Sequence, residues 1–265
     1  LTLTWLDYEL EKYWLAPCDA PVLRRGSIIP AQPAPALCEE PEEKLVFAPA
    51  SEVSRANGKC IAALLADMAK TLRDAEEELG RIDARAGDGD HGQGMTRGSA
   101  AAAAAATKAA AAGAGAASVL ATAGDAWADR AGGTSGALWG LALRTWSGAL
   151  SDVDALTPQA VAAGAEAGLQ AIVRLGRAQV GDKTLVDAYD PFAKTLSAKA
   201  AAGQSLAVAW GAAAQAATAA AEATAQLAPK LGRARSHTAR SLGYPDAGAV
   251  SLALCARLIA GALKD

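Results

Sequence analysis

After residue 50 no stretch of this chain alternates apolar and polar residues with the period of two that a half-buried strand needs. Apolar positions return instead every three or four residues, and Ile61, Leu64, Leu65, Met68, Leu72 and Leu79 share one such face. A chain without a strand pattern must bury its apolar stripes helix against helix. Alanine supports this, because it is the best helix former and lets helix axes approach closely. The run SAAAAAAATKAAAAG therefore reads as a helix packed on its neighbours rather than as disorder. Thr157–Pro158 offers a hydroxyl cap followed by proline in a first turn. Gly176 and Gly181 flank a break, an alanine-rich helix covers about 204–227, and the last helix runs over about 246–263 with Asp246 as its cap. The pattern predicts seven or eight helices, an all-α domain over 51–265.

The first part of the chain differs. Seven of the eleven prolines lie between Pro17 and Pro49. Proline lacks the backbone donor and clashes with a preceding helical turn, so IPAQPAPALCEEPEEK is read as neither helix nor interior strand. Residues 27–50 are predicted to be a proline-rich linker of extended character. Before it, LTLTWLDYELEKYW reads as the strand that ends a domain, then a short amphipathic piece. Trp5, Tyr13 and Trp14 would need a partner surface there. Leu1 in place of methionine fits a piece of a longer polypeptide.

The net charge of −3 gives no support to nucleic-acid binding, which calls for a basic patch. The N-terminal stretch is too acidic and has too short an apolar run for a signal peptide or a membrane span. Cys18, Cys38, Cys60 and Cys255 lack metal-ligand spacing and read as reduced thiols of a cytoplasmic protein.

The segment IDARAGDGDHGQGMTRG places Asp83, Asp88 and Asp90 within eight positions, interleaved with glycine. That spacing does not fit one helix face, where neighbours stand three or four apart. It suits a loop that turns its carboxylates toward one point. Clustered carboxylates repel unless a cation sits among them, and an all-oxygen donor set favours a hard ion such as Mg²⁺. The competing reading is a solvated acidic turn. RAGGTSGALWG sets glycines, Thr134 and Ser135 before an apolar helix, which is either an anion site or a tight helix–helix turn. RLGRAQVGDKTLVD and LGRARSHTARSLGYPDAGA mix glycine, arginine and aspartate, and Arg233, Arg235 and Arg240 can serve phosphate or simply solvate the surface. Four such loops between apolar helices point to a site at one end of a bundle.

Taken together, DARAGDGDHGQGMTRG, GGTSGALWG, GDKTLVDAYDPF and GRARSHTARSLGYPDAGA resemble the nucleotide-binding DhaL, or Dak2, domain of the dihydroxyacetone kinase family. They follow the family's order over about residues 55–265. The resemblance implies a barrel of eight antiparallel α-helices preceded by an irregular N-terminal extension. It implies ATP or ADP held through Mg²⁺, two ions, with Asp83, Asp88 and Asp90 as metal ligands. Implied nucleotide contacts are His91, Gly92, Gln93, Gly94, Thr134, Ser135, Gly176, Leu185, Arg233, Asp246, Ala247 and Gly248. Arg233 would also be the catalytic residue, on phosphate. Gly94 and Leu185 depart from the asparagine and methionine of some members.

Residues 1–26 resemble the end of a DhaK-type substrate domain, which binds its ketose through a histidine that this chain does not carry. That organisation resembles the single-chain, ATP-dependent kinases of dihydroxyacetone or erythrulose. The resemblance further implies a DhaK domain as partner, in cis or in trans, and a homodimer through it, with neither nucleic acid nor membrane as partner. Two alternatives stand beside it: a phosphotransferase-linked subunit with bound ADP as cofactor, and a non-catalytic nucleotide-binding regulator.

Overall fold

The computed structural model describes residues 5–20, 23–25 and 45–263, and for residues 19, 20, 23–25 and 233 it describes the backbone alone. The chain divides into two compact units, Leu1–Lys44 and Leu45–Asp265. In the first, the amphipathic piece is helix α1, Tyr8–Leu15, and none of its residues is buried. Asp7 caps it by accepting from the Glu9 and Leu10 amides at 3.0 and 2.8 Å. A two-stranded hairpin follows, β1 Cys18–Ala20 antiparallel to β2 Leu23–Arg25, with Cys18 opposite Arg25. The strand expected at the very start and most of the expected linker lie outside the described residues. Trp5, Tyr8 and Tyr13 are exposed.

Among its described residues the second unit consists of helices joined by loops, with no strand. Its elements are α2 Glu52–Asp74, α3 Glu76–Asp83, α4 His91–Ala111, α5 Ala116–Ala131, α6 Gly133–Ser147, α7 Pro158–Gly176, α8 Leu185–Ala201, α9 Leu206–Ala223, α10 Thr238–Ser241 and α11 Ala247–Ala262. Eight of these are long, and they form a ring. α2 packs on α4, α4 on α5, and so on through α9 to α11, which returns to α2. Successive long helices run antiparallel. That alternation sets the N-termini of α4, α6, α8 and α11 at the same end of the barrel.

Small residues make the ring tight. A Cβ on Gly124 would come 3.0 Å from the Gly140 carbonyl, and one on Gly140 would come 2.8 Å from the Gly124 carbonyl. The α5 and α6 backbones therefore touch. Gly98 gives its space to the indole of Trp127, which stacks on Trp139 at 5.1 Å. Phe192, Trp146 and Trp210 fill another sector, and the Trp210 indole donates to the Ala256 carbonyl at 2.9 Å. The barrel also holds a partly open apolar cavity of about 410 Å³.

Candidate functional site

Asp83 is the last residue of α3, and Asp90 immediately precedes α4, so the aspartate segment is a short helix–helix junction. One oxygen from each of Asp83, Asp88 and Asp90 lies within 4.8 Å of the others. Glycine makes the junction possible. The Gly89 amide donates to Asp83 Oδ2 at 2.9 Å from a backbone with φ of +80°, a conformation that favours glycine. A Cβ on Gly87 would lie 2.5 Å from Asp83 Oδ1. Asp88 and Asp90 are exposed and Asp83 is half-buried. Three carboxylate oxygens held this close repel one another, and the donor set fits a hard divalent ion.

His91, Gly92, Gln93 and Gly94 are not in a loop, as their glycine content suggests. They form the first turn of α4. The first amides of a helix lack intrahelical acceptors, so those of His91, Gly92 and Gln93 point out of the helix end. The Gly94 amide is engaged inside the helix, donating to the Asp90 carbonyl at 3.0 Å. The His91 ring is buried. Its Nε2 lies within hydrogen-bond distance of Ser251 Oγ, at 3.0 Å, and Ser251 Oγ is also 3.0 Å from the Gly248 carbonyl. Burial lowers the His91 pKa, against the pull of the Asp83 and Asp90 carboxylates.

Gly92 lies against α3, where a Cβ would fall 2.0 Å from the Glu76 carbonyl oxygen. Gly92→Ala must push α3 and α4 apart. It is expected to lower stability by roughly 1–3 kcal/mol, read as a drop in the thermal midpoint.

Thr134 and Ser135 likewise lie in the first turn of α6, behind Gly132 and Gly133 at φ of +72° and +61°. Leu185 opens α8, and Ala247 and Gly248 open α11 behind the cap Asp246. A Cβ on Gly248 would meet Leu185 Cβ at 3.1 Å, which keeps these two helix starts together. Asp83, His91, Thr134, Ser135, Leu185 and Gly248 all line one cleft of about 300 Å³. Gly176, Asp246 and Ala247 line it too, whereas Asp88, Asp90, Gly92, Gln93 and Gly94 do not. Helix N-termini carry partial positive charge, so a cleft that gathers several suits a polyanion. Leu138, Ile172 and Leu185 give the same cleft an apolar wall. Arg233 begins a 3₁₀ turn, Arg233–His237, and its side chain lies outside the described residues.

Three residues of the cleft end went unread in the sequence. Lys183 is buried and lines the cleft. The Arg85 guanidinium stacks on the Tyr244 ring at 4.4 Å, joining the aspartate junction to the segment before α11. Asp187 completes a capping box with Thr184, accepting from the Thr184 amide at 2.7 Å. The threonine–acid spacing of three was a readable signal for this last residue.

Burial raises the Asp246 carboxyl from 3.8 to about 7, with Asp187 and Asp83 adding to the effect, while the Ala249 amide and Lys183 oppose it. A raised carboxyl pKa means that the folded state holds the proton more tightly than the unfolded chain. Stability therefore falls as pH rises between those two values and levels above them. Asp246→Asn keeps a capping oxygen. In metal-free protein it is expected to flatten this dependence and to raise stability at pH 8 by roughly 1–3 kcal/mol, checked by denaturant titration at pH 5 and 8.

Among the described residues no helix is long and apolar enough to cross a membrane. Comparison with known proteins matches residues 85–261 to the DAK2 domain model. The chain is 48% identical to the D-erythrulose kinase of Mycolicibacterium smegmatis over 98% of its own length and 46% of that protein's. It is 30% identical to the ADP-binding subunit DhaL of the PEP-dependent dihydroxyacetone kinase 1 of Listeria innocua, over 72% of this chain and 89% of that subunit. The fold is shared with the dihydroxyacetone kinase of C. freundii, solved in complex with AMP-PNP and Mg²⁺, at a TM-score of 0.59 and 24% identity over 88% of this chain and 38% of that one. The chain thus spans about half the length of the curated erythrulose kinase that it matches. Its motifs, its eight-helix ring and the match over 85–261 make it a member of the DAK2 domain family.

Proposed function

We propose that this chain is the ATP-binding, phosphoryl-donating domain of a ketose kinase of the dihydroxyacetone/erythrulose type. The observation that carries the reading is one cleft with an apolar wall, lined by Asp83 and by residues at the N-termini of α4, α6, α8 and α11, with Asp88 and Asp90 clustered on Asp83. Asp83, Asp88 and Asp90 would hold Mg²⁺, two ions in this reading, whose charge offsets that of a polyphosphate. The α4 and α6 amides, at His91, Gly92, Thr134 and Ser135, would orient phosphate oxygens. Leu185 and its neighbours would take the adenine face, with Gly176 beside it, and Asp246, Ala247 and Gly248 would close the cradle. Gln93, Gly94 and Arg233 complete the proposed contacts, and Arg233 would draw the charge that develops on the transferring group. Transfer forms a bond from a primary hydroxyl oxygen to the γ-phosphorus and breaks the bond to the β–γ bridging oxygen. Such a reaction depends on positioning and charge neutralisation more than on covalent chemistry.

The similarity to the D-erythrulose kinase takes in 98% of the chain, whereas that to the DhaL subunit takes in 72%. This favours the ATP-dependent single-chain arrangement over the phosphotransferase-linked one. In that arrangement residues 1–26 close a DhaK-type substrate domain, 27–50 form a linker and 51–265 form the barrel. The partner is that substrate domain, with a homodimer formed through it, and the reaction takes place in the cytoplasm.

Thermal shifts test the base pocket. With magnesium present, ADP is expected to raise the midpoint clearly more than pyrophosphate does, because a ligand stabilises according to its affinity. Equal shifts would mean that the cleft reads phosphate alone.

A further inference from the structure

We propose that Lys183 is a positioning residue that clamps the base of the arginine-bearing segment 228–240 at the phosphate end of the cleft. Its backbone has φ of +60°, a left-handed conformation that few residues other than glycine adopt. That turn aims the side chain inward, and the residue is 5% exposed. The ammonium donates to the Leu227 carbonyl at 3.1 Å and to the Ser241 carbonyl at 2.7 Å. These two carbonyls bracket the segment that carries Arg233, Arg235 and Arg240. One lysine thus ties together two points far apart in sequence and closes the loop between them.

Among the described residues the base of the segment is also tied by an ion pair, Lys230 Nζ to Asp182 Oδ1 at 3.4 Å, and by backbone bonds. The Lys230 amide donates to the Asp182 carbonyl at 3.2 Å, and the Gly243 amide donates to Ala225 at 2.9 Å. Leu231, Gly232 and Ala234 bring the same segment to the cleft wall. Among the described residues no carboxylate forms an ion pair with Lys183. The Asp246 carboxyl stands near enough to favour the charge without bonding to it. A buried ammonium whose hydrogen bonds go to carbonyls is expensive, and an apolar residue would fill the space at lower cost. What the lysine adds is the closure of the loop, together with a positive charge at the phosphate end.

The consequence for nucleotide rests on the proposed kinase reading; the clamp itself does not. The test uses the full 265-residue chain and three variants, Lys183→Met, Lys183→Gln and Lys183→Arg. Hydrogen exchange without nucleotide reads the clamp. In Lys183→Met the amides of 228–241 are expected to exchange about ten-fold faster, while α4 and α6 stay unchanged. Lys183→Gln, whose amide reaches one carbonyl at a time, should fall between, and it carries the test if the methionine variant does not fold. Lys183→Arg, whose guanidinium can donate to both carbonyls at once, should restore most of the protection. Calorimetry with magnesium then reads the function. ADP affinity should weaken about ten-fold in Lys183→Met while adenosine affinity holds within about two-fold, because the segment set free carries the arginines assigned to phosphate and Leu185 stays fixed at the start of α8. Unchanged exchange over 228–241, or equal losses of ADP and adenosine affinity, would overturn the proposal. Faster exchange in a protein whose wild type binds no nucleotide would uphold the clamp and refute the kinase reading instead.

Discussion

Replacing Asp88 and Asp90 by asparagine is expected to abolish magnesium-dependent nucleotide binding and leave helical content almost unchanged. Both side chains are exposed on the short junction before α4, so the barrel does not depend on them for packing. Each lies with Asp83 in a cluster whose oxygens fall within 4.8 Å, and asparagine keeps the shape while removing the charge. A hard divalent ion loses most of its hold when charged oxygens become neutral. ADP affinity in the presence of magnesium should fall by at least about 100-fold, judged against the effect of disturbing a metal's surroundings. Calorimetry measures this, with circular dichroism as the control on folding. Unaltered ADP affinity in both single variants would remove the metal assignment. Asp83→Asn is a poorer probe, because Asp83 Oδ2 also accepts from the Gly89 amide and shapes the junction.

The second large effect concerns phosphoryl transfer. The 265-residue chain taken alone is expected to bind magnesium-ATP and yet to phosphorylate neither dihydroxyacetone nor erythrulose at a useful rate. Adding a DhaK-type domain with its substrate-binding histidine intact should restore ATP-dependent ketose phosphorylation. The reason is geometric. The acceptor hydroxyl must stand in line with the γ-phosphorus, and positioning of this kind contributes about 7–11 kcal/mol. The described cleft gathers helix N-termini, carboxylates and an apolar wall, a set that suits the nucleotide. A coupled assay of ADP release with each ketose checks this. Robust turnover by the chain alone would show that the division of labour is wrong.

Much of the fold was legible because alanine and periodic apolar residues leave a helical chain few choices. The start of α7 at Pro158 and the Asp246 cap of α11 were readable from local chemistry alone. Other boundaries were not. The apolar face from Ile61 to Leu79 reads as one helix, but the chain breaks at Ala75 and Leu79 belongs to α3. Glycines at 92 and 94 lower helix propensity, so the first turn of α4 read as loop. Tertiary packing decides otherwise, since only glycine at 92 fits against Glu76. The aspartate cluster was legible because its spacing fits no helix face, although Asp83 itself ends a helix. Lys183 was not legible, because a lysine between Asp182 and Thr184 reads as solvated surface. Only the backbone turn at that residue sends it inward.

The most direct measurement is a calorimetric titration of ADP into the wild-type chain, with magnesium and then with chelator. Binding in a single-site isotherm with magnesium, lost or weakened by at least about 100-fold with chelator, is the expected result. ADP binding of equal strength in both conditions, or none in either, would contradict a cleft built to present a metal to an adenine nucleotide.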